Sequence, residues 1–439
     1  MAIKHDRYSK ILNNVLGKIR PDEKKIMPEV NRTIEKINNI LKKEKIDASA
    51  AAGGSIAKGT FLKNDYDCDI FVRFDYFYDT GALSEMLGNA LKKAFPPKNI
   101  EKLHGSRDYY FIPGKIGDEM INYEIIPVLD IYNPKDAKNT TDCSPLHVKW
   151  VNKFTKKDKK LKDNIRLTKA FCKSIGVYGA ESYIKGFSGH VVDILTIYYG
   201  SFLKLLEAAR KWEIGELIDA TGTYKTRHMA VMDLNKSKTQ SALIVIDPIQ
   251  KGRNASAALG EEKLRIFAEK ASAFLKKPGE EYFIKKEYDA ECLKKEIVKK
   301  AAGMKASAVT AEVLAKIGKR DVVGAKIMKA FEFIRDGLSA NEFKIHDSGW
   351  EWDKKNKGII WFLADSKKLS DHYTRIGPSL KMKEHADNFK KAHKNTFEKG
   401  GRIYAKIIRK YREPAEFIES FKENEYIKEK IKSMSVRKL

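Results

Sequence analysis

The chain contains 439 residues, of which 42% are hydrophobic and 33% are charged. This balance is typical of a globular protein rather than a disordered one, and the length predicts two to four domains. The 85 Lys and Arg residues exceed the 59 Asp and Glu residues and leave a net charge of +26, which favours a polyanionic partner such as nucleic acid. A lysine-rich surface adapted to a hot or salty cell is the alternative explanation of this excess.

A membrane protein and a secreted disulfide scaffold are both disfavoured by the sequence. The most apolar stretch, 191–206, is interrupted by Asp193, Ser201 and Lys204, and it is not expected to cross a membrane. The first residues lack the apolar core of a signal peptide. The four cysteines are scattered without a C-x-x-C pair, which argues against a zinc knuckle and a disulfide framework. We therefore expect a reduced, cytoplasmic protein.

Helical and strand patterns alternate over the first 150 residues. Two helices open the chain, and the second is predicted to start at Pro21. A short helix follows from Ser55, whose side chain can cap it. The pattern then predicts strands at 69–74, 109–112 and 120–129 and a helix at 84–95. Together they predict an α/β unit with a mixed or antiparallel sheet that ends near Trp150.

The remaining chain is predicted to form a mostly helical region followed by a second α/β region. The elements expected there are helices at 163–175, 191–212 and 325–334, strands at 241–247, 307–313, 342–346 and 358–363, and a lysine-rich helical tail from His385. The strands after residue 300 could build a small ferredoxin-like sheet. The overall prediction is a multidomain α+β protein with divisions at 1–150, 151–275 and 276–439.

One motif carries most of the chemical information. Gly53-Gly54-Ser55 is followed, after eleven residues, by Asp67-Cys68-Asp69 at the start of an apolar strand. Side chains alternate in a strand, so Asp67 and Asp69 face the same way and can hold hard divalent cations such as Mg²⁺. The Gly-Gly-Ser turn at the start of a helix, with Gly54 as its backbone loop, can offer N–H groups to a triphosphate.

A third carboxylate from a neighbouring strand would complete a two-metal site. Glu124 lies in an otherwise apolar strand, where an unpaired charge is costly, and it fits this role. A solvent-facing glutamate on an edge strand is the alternative. A Walker A loop is excluded, because Lys58 precedes the second glycine and Thr60-Phe61 stands where Lys-Ser or Lys-Thr is required.

The glycine and aspartate spacing resembles the nucleotidyltransferase superfamily that includes DNA polymerase β. Further segments, in matching order from about residue 50 to residue 260, resemble the archaeal class I CCA-adding enzymes. These segments are DCSPLHVKW at 142–150, RLTKAF at 166–171, GVYGAE at 176–181, GFSG at 186–189, DP at 247–248 and KGRN at 251–254. After residue 280 the resemblance is carried mainly by RIGP at 375–378.

The resemblance implies an N-terminal polymerase β-like domain and a tRNA nucleotidyltransferase that adds C, C and A without a nucleic-acid template. It implies two Mg²⁺ ions on Asp67, Asp69 and Glu124, CTP and ATP as substrates, and a C-terminal body that grips the acceptor stem and T-arm. It also suggests a homodimer. The residues matching the family's nucleotide contacts are Ser55, Lys58, His147, Lys169 and Tyr178, and Arg253 matches the residue that reads the base.

Two positions depart from the family's pattern. Glu124 stands where aspartate is usual, and its extra methylene moves the carboxylate by roughly 1.5 Å, which can alter rate or metal preference. Lys58 stands where arginine is more usual and would neutralise phosphate as a point charge. Taken singly, each matched residue also has a purely structural interpretation. The alternative functions are a poly(A) polymerase-like transferase, a catalytically silent RNA-binding relative and a small-molecule nucleotidyltransferase.

Overall fold

The computed structural model describes residues 2–234, 239–284, 289–318 and 320–439. It divides into two compact units, Met1–Lys286 and Glu287–Leu439. Among the described residues, no helix is both long enough and apolar enough to cross a membrane.

Two long helices open the first unit, α1 (Ala2–Ile19) and α2 (Glu23–Lys43). The second begins two residues later than the predicted start at Pro21, because the carboxylate of Asp22 accepts hydrogen bonds from the main-chain N–H groups of Lys24 and Lys25 and caps the helix. Its predicted apolar stripe is confirmed by four fully buried side chains. These are Ile26, Val30, Ile37 and Leu41.

A five-stranded sheet packs against α2, and its strands follow the spatial order β1-β2-β5-β4-β3. Only β2 and β5 are parallel neighbours, so the sheet is mixed, which is one of the two arrangements predicted. A short helix, α3, connects β1 to β2. It begins at Gly54 with Gly53 as its cap, one residue before the predicted start at Ser55. The elements are β1 (Ala48–Ala52), α3 (Gly54–Lys58), β2 (Asp67–Phe74), α4 (Leu83–Ala94), β3 (Glu101–Leu103), β4 (Tyr109–Ile116) and β5 (Glu119–Leu129).

Helices dominate the rest of the first unit, as predicted. The single helix expected at 191–212 is in fact two helices, because Gly200 adopts a left-handed conformation with φ +81 and Ser201 caps the next helix through the N–H of Lys204. The elements are α5 (Ser144–Lys157), α6 (Lys160–Ser174), α7 (Gly189–Tyr199), α8 (Phe202–Ala209), β6 (Glu216–Ile218), α9 (Arg227–Asp233), β7 (Leu243–Val245) and α10 (Glu261–Lys276). Their core is rich in aromatic contacts around Phe171.

The second unit contains a four-stranded antiparallel sheet, ordered β14-β8-β10-β9, and a three-stranded sheet, ordered β11-β13-β12. Its elements are α11 (Ala290–Met304), β8 (Ala306–Ala315), α12 (Arg320–Ala340), β9 (Ile345–Trp352), β10 (Lys357–Asp365), β11 (His372–Ser379), α13 (Lys383–Ala392), β12 (Thr396–Lys399), β13 (Arg402–Ile408), α14 (Pro414–Ser420), α15 (Glu425–Lys430) and β14 (Ile431–Lys438).

Two expectations for this second unit need correction. The strand predicted at 342–346 instead begins at Ile345 and continues to Trp352, where it pairs with β10. The predicted helical tail is correct at α13, α14 and α15 but wrong at β12, β13 and β14, which are strands. Trp352 and Trp361 are buried in the sheet.

Candidate active site

Three acidic side chains lie on one face of the first sheet, in its two central strands. Asp67 and Asp69 are two residues apart in β2, so they point to the same side. The parallel register places Asn122 beside Asp67 and Glu124 beside Asp69. Neighbouring strands lie about 4.8 Å apart. The structure therefore brings together the three carboxylates that the sequence singles out.

The three carboxylates have different surroundings. Asp67 is exposed, and its Oδ1 accepts a hydrogen bond from Nδ2 of Asn122 at 3.0 Å, whereas Asp69 and Glu124 are half-buried. Burial raises the pKa of Asp69, attraction by Lys58 opposes the rise, and repulsion from Asp67 adds to it. A divalent cation would relieve both the desolvation and the repulsion. Because Mg²⁺ prefers carboxylate oxygens together with substrate phosphates, this donor set fits a divalent metal.

The glycine turn packs directly against this face. A Cβ atom on Gly54 would lie 1.6 Å from Oδ2 of Asp69, and the glycine has φ +49. A Cβ atom on Gly53 would lie 2.6 Å from the ring of Phe71, and the Gly53 N–H donates to the carbonyl of Asp69 at 2.7 Å. Ser55 follows, half-buried, within α3. Only glycine therefore allows the turn to approach the carboxylate this closely.

A buried cluster of charges lies close to the turn. Nζ of Lys58, at the end of α3, donates to Oδ2 of Asp193 at 2.7 Å. Nζ of Lys169, in α6, lies 3.8 Å from Oδ1 of the same aspartate and donates to Oγ1 of Thr60 at 3.1 Å. Lys58 is 8% exposed, Lys169 is 4% exposed and Asp193 is fully buried. We call these three residues the Asp193 cluster.

Electrostatics within the Asp193 cluster favour charged partners. Burial opposes ionisation of Asp193, but attraction by Lys58 and Lys169 outweighs it and holds the pKa of this carboxyl below its usual value. Burial lowers the pKa of Lys169 to about 8, against the attraction of Asp193. One buried anion thus faces two amines, of which Lys169, with its pKa of about 8, is mostly protonated at neutral pH.

Tyr178 is half-buried, and its hydroxyl lies beside Gly189, the first residue of α7. Its OH lies 2.8 Å from the Cβ position of Gly189, and Nζ of Lys173 lies 4.7 Å from its ring centroid. Burial raises the pKa of Tyr178, and the nearby Asp193 carboxylate adds to the rise. The hydroxyl therefore stays protonated and can donate a hydrogen bond.

A second group of predicted residues surrounds Asp247, which is 1% exposed. Nε2 of His147 donates to Oδ1 of Asp247 at 3.0 Å, and Nη1 of Arg253 donates to Oδ2 at 2.5 Å. Nε2 of His190, in α7, lies 3.5 Å from Oδ2. Burial lowers the pKa of His190 to about 4. Burial opposes ionisation of Asp247, but the two histidines hold the pKa of its carboxyl well below the usual range.

His147, His190 and Asp247 also present three metal-ligand atoms within 4.8 Å of one another. The carboxylate is already engaged, however. Its Oδ1 also accepts the main-chain N–H groups of Ile249 and Gln250, at 2.9 and 3.0 Å. Its Oδ2 accepts a hydrogen bond from the guanidinium of Arg253. The positive charge of that group disfavours a metal cation at the same oxygen. The arrangement is therefore a hydrogen-bond network, and the carboxylates of β2 and β5 are the better metal ligands.

Helix α7 connects the two groups. His190 faces Asp247, and Asp193, three residues later, faces Lys58 and Lys169. His190, Asp193 and Asp247 are not among the site residues predicted from the sequence. A signal for Asp193 was present, since it is the one acidic residue of α7 and lies inside a run of buried residues, where only a partner can compensate its charge.

Three protein-family models match separate parts of the chain. A nucleotidyltransferase domain matches residues 34–147, the second domain of tRNA nucleotidyltransferase matches 163–284, and the C-terminal domain of CCA-adding enzyme matches 318–434. The nucleotidyltransferase fold predicted for the N-terminal region is thereby confirmed.

Relatives of known name cover most of the chain. The CCA-adding enzyme of Nanoarchaeum equitans is 32% identical over 380 residues, which is 86% of this chain and 88% of that protein. The chain belongs to the CCA-adding enzyme family. Another CCA-adding enzyme, from Methanocaldococcus jannaschii, is 31% identical over 91% of this chain and 88% of its own length. That of Sulfurisphaera tokodaii is 28% identical over 91% and 89%, respectively.

Solved structures resemble this CCA-adding enzyme family member in fold. The RNA terminal uridylyl transferase Cid1 aligns with a TM-score of 0.51 at 16% identity, over 65% of this chain and 100% of that chain. A cytoplasmic RNA terminal U-transferase gives the same TM-score at 14% identity, over 65% and 100%. At such identities the likeness shows a shared nucleotidyltransferase fold.

Proposed function

We propose that this protein is a tRNA nucleotidyltransferase that adds C, C and A to the tRNA 3′ end from CTP and ATP, without a nucleic-acid template. The observation that carries the proposal is the juxtaposition of three carboxylates on β2 and β5, the glycine turn against Asp69 and the Asp193 cluster close by. Membership of the CCA-adding enzyme family supports the choice of tRNA over other acceptors.

The carboxylates serve as the cation-binding side of the site. Asp67, Asp69 and Glu124 would hold Mg²⁺, which supplies activation of the attacking 3′ hydroxyl and charge stabilisation of the pyrophosphate leaving group. Asn122 orients Asp67 through the 3.0 Å hydrogen bond. Most of the rate enhancement is then expected from positioning and electrostatic stabilisation by fixed groups.

The nucleotide lies, in this proposal, between the carboxylates and the buried amines. Lys58 and Lys169 neutralise phosphate charge, Ser55 and the Gly54 backbone donate to the triphosphate, and the protonated hydroxyl of Tyr178 donates to the nucleotide. His147 and Arg253 belong to the Asp247 network, which fixes both side chains and leaves the rest of the guanidinium fork to read the base.

The finer organisation is part of the same proposal. Residues 1–150 would carry catalysis, 151–275 nucleotide recognition, and 276–439 binding of the acceptor stem and T-arm through shape and phosphate contacts. The net charge of +26 supports a polyanionic partner. We also propose a homodimer acting in the cytoplasm.

Single-nucleotide extension of a tRNA transcript lacking CCA tests the function. CTP alone should add two residues, and CTP with ATP should add a third and then stop. Asp69→Asn should add none while retaining tRNA binding, and Asp79→Asn, an exposed carboxylate beyond β2, should behave as wild type.

Other outcomes would replace the proposal. A ladder formed with ATP alone identifies a poly(A) polymerase-like transferase. Tight tRNA binding without extension identifies a silent RNA-binding relative, and absence of tRNA binding at any salt concentration identifies a small-molecule nucleotidyltransferase.

A further inference from the structure

Asp193 is fully buried in α7, and its carboxylate contacts the amines of Lys58 and Lys169, which we place at the triphosphate. We infer that Asp193 is a positioning residue, which holds Lys58 and Lys169 in place for the phosphates of the incoming nucleotide. This inference rests on the proposed function, because the two lysines act on a nucleoside triphosphate. It concerns a residue that touches no substrate and acts through its neighbours.

One carboxylate oxygen of Asp193 and one ammonium donor of Lys169 are not used in hydrogen bonds within the Asp193 cluster. Oδ2 of Asp193 accepts from Lys58, whereas Oδ1 has no hydrogen-bond partner among the described residues, although Nζ of Lys169 lies only 3.8 Å away. Lys169 instead donates to the carbonyl and hydroxyl of Thr60, at 3.3 and 3.1 Å. An ammonium group has three donors, so a third donor of Lys169 is available in addition to these two bonds.

Charge counting explains why this arrangement suits a phosphate ligand. Two lysines against one aspartate leave one positive charge that the cluster itself does not neutralise. Without the aspartate, two buried ammonium groups would repel each other and burial would drive them towards their neutral forms. With it, the carboxylate holds both side chains in fixed positions, where they can meet a polyanion. A single lysine would suffice to pair with Asp193, so the second lysine is available to bind a triphosphate.

A second buried ion pair in the same unit provides the structural comparison. Asp142 is also fully buried and accepts from Nη1 of Arg107 at 2.6 Å. Unlike Asp193, it also accepts the main-chain N–H groups of Leu129, Lys138 and Asn139, so it holds loops in place. Its hydrogen bond from Leu129 is at the last residue of β5, five residues after Glu124. Asp142→Asn is therefore the matched control, with the same chemistry at a site outside the nucleotide region.

The experiment compares Asp193→Asn with Asp142→Asn in the full chain. Steady-state extension gives KM for CTP and ATP separately from kcat, and calorimetry with MgATP or MgCTP gives nucleotide binding without tRNA. For Asp193→Asn we expect KM and Kd to rise about tenfold or more, the size of a charged hydrogen bond, with kcat within about threefold. Asp142→Asn should lower the melting temperature and leave KM within about twofold.

A double variant shows whether Asp193 acts through Lys58. If it does, Asp193→Asn should add little to the effect of Lys58→Met on KM, because the contact is already lost. Independent, additive effects of the two substitutions, or the same KM for Asp193→Asn and Asp142→Asn, would overturn the inference.

If Asp193→Asn does not fold, a second substitution at the same position, Asp193→Glu, tests the inference. Asp193→Glu keeps the charge but displaces the carboxylate by about 1.5 Å, so KM should rise about threefold or more. A folded Asp193→Glu protein with wild-type KM would overturn the inference. The calorimetric titration contains no tRNA, so it reads the role of Asp193 even if the extension products are not CCA and the proposed function fails.

Discussion

Gly54→Ala should separate catalysis from stability at the glycine turn. The added Cβ atom would lie 1.6 Å from Oδ2 of Asp69, whereas ordinary contacts begin near 3.4 Å. Either the turn or the carboxylate must therefore move by about 2 Å, and a misplacement of about 1 Å can already cost about a hundredfold in rate. We expect kcat/KM to fall about a hundredfold, equivalent to about 2.7 kcal/mol.

The matched control is Gly222→Ala. Gly222 has φ +64, close to the value of +49 at Gly54, but no heavy atom lies within 4 Å of its Cβ position. Both substitutions should lower the free energy of unfolding by at least about 1 kcal/mol through backbone strain. Only Gly54→Ala should slow CCA addition, measured by single-turnover extension beside urea denaturation. Equal activity of the two variants would refute the steric argument.

Three further predictions follow from the site. Chelation of divalent cations by EDTA should abolish extension and leave tRNA binding, followed by gel shift, within about twofold. Glu124→Asp restores the residue usual in the family and moves the carboxylate back by about 1.5 Å, so it should raise kcat severalfold; an unchanged kcat in a magnesium titration would contradict this. Burial lowers the pKa of His190 to about 4 in the folded state. The unfolded chain, with an ordinary histidine pKa of about 6.5, therefore binds more protons between these values, and the free energy of unfolding should fall by up to about 3 kcal/mol as the pH drops through this window. Urea denaturation across this range should show a weaker pH dependence for His190→Phe.

The parts of the site that depend on local rules could be predicted from the sequence. Strand alternation places Asp67 and Asp69 on one face, and a charge in an apolar strand indicated Glu124. The placement of Glu124 beside Asp69 is confirmed by the parallel register. The roles of these residues in catalysis stay predictions.

The parts of the site that depend on long-range contacts could not be predicted from the sequence. The charge of Asp193 was visible as an interruption of an apolar stretch, but its partners come from α3 and α6 and are known only once the chain is folded. The lysine-rich tail predicted to be helical from His385 was wrong at β12, β13 and β14, because strand pairing depends on partners elsewhere in the chain. The Gly400-Gly401 pair, with both φ values positive, instead turns β12 back onto β13.

The parallel pairing of β2 with β5 has a consequence for how the protein folds. Parallel neighbours cannot be joined by a tight turn, and here α4, β3 and β4 intervene along the chain. Asp69 and Glu124 consequently come together only after a long loop has closed, a step that is slow compared with helix formation or hairpin closure. A nascent chain that has not yet emerged beyond β4 lacks one of the three carboxylates, so metal affinity should develop late and report on completion of the sheet.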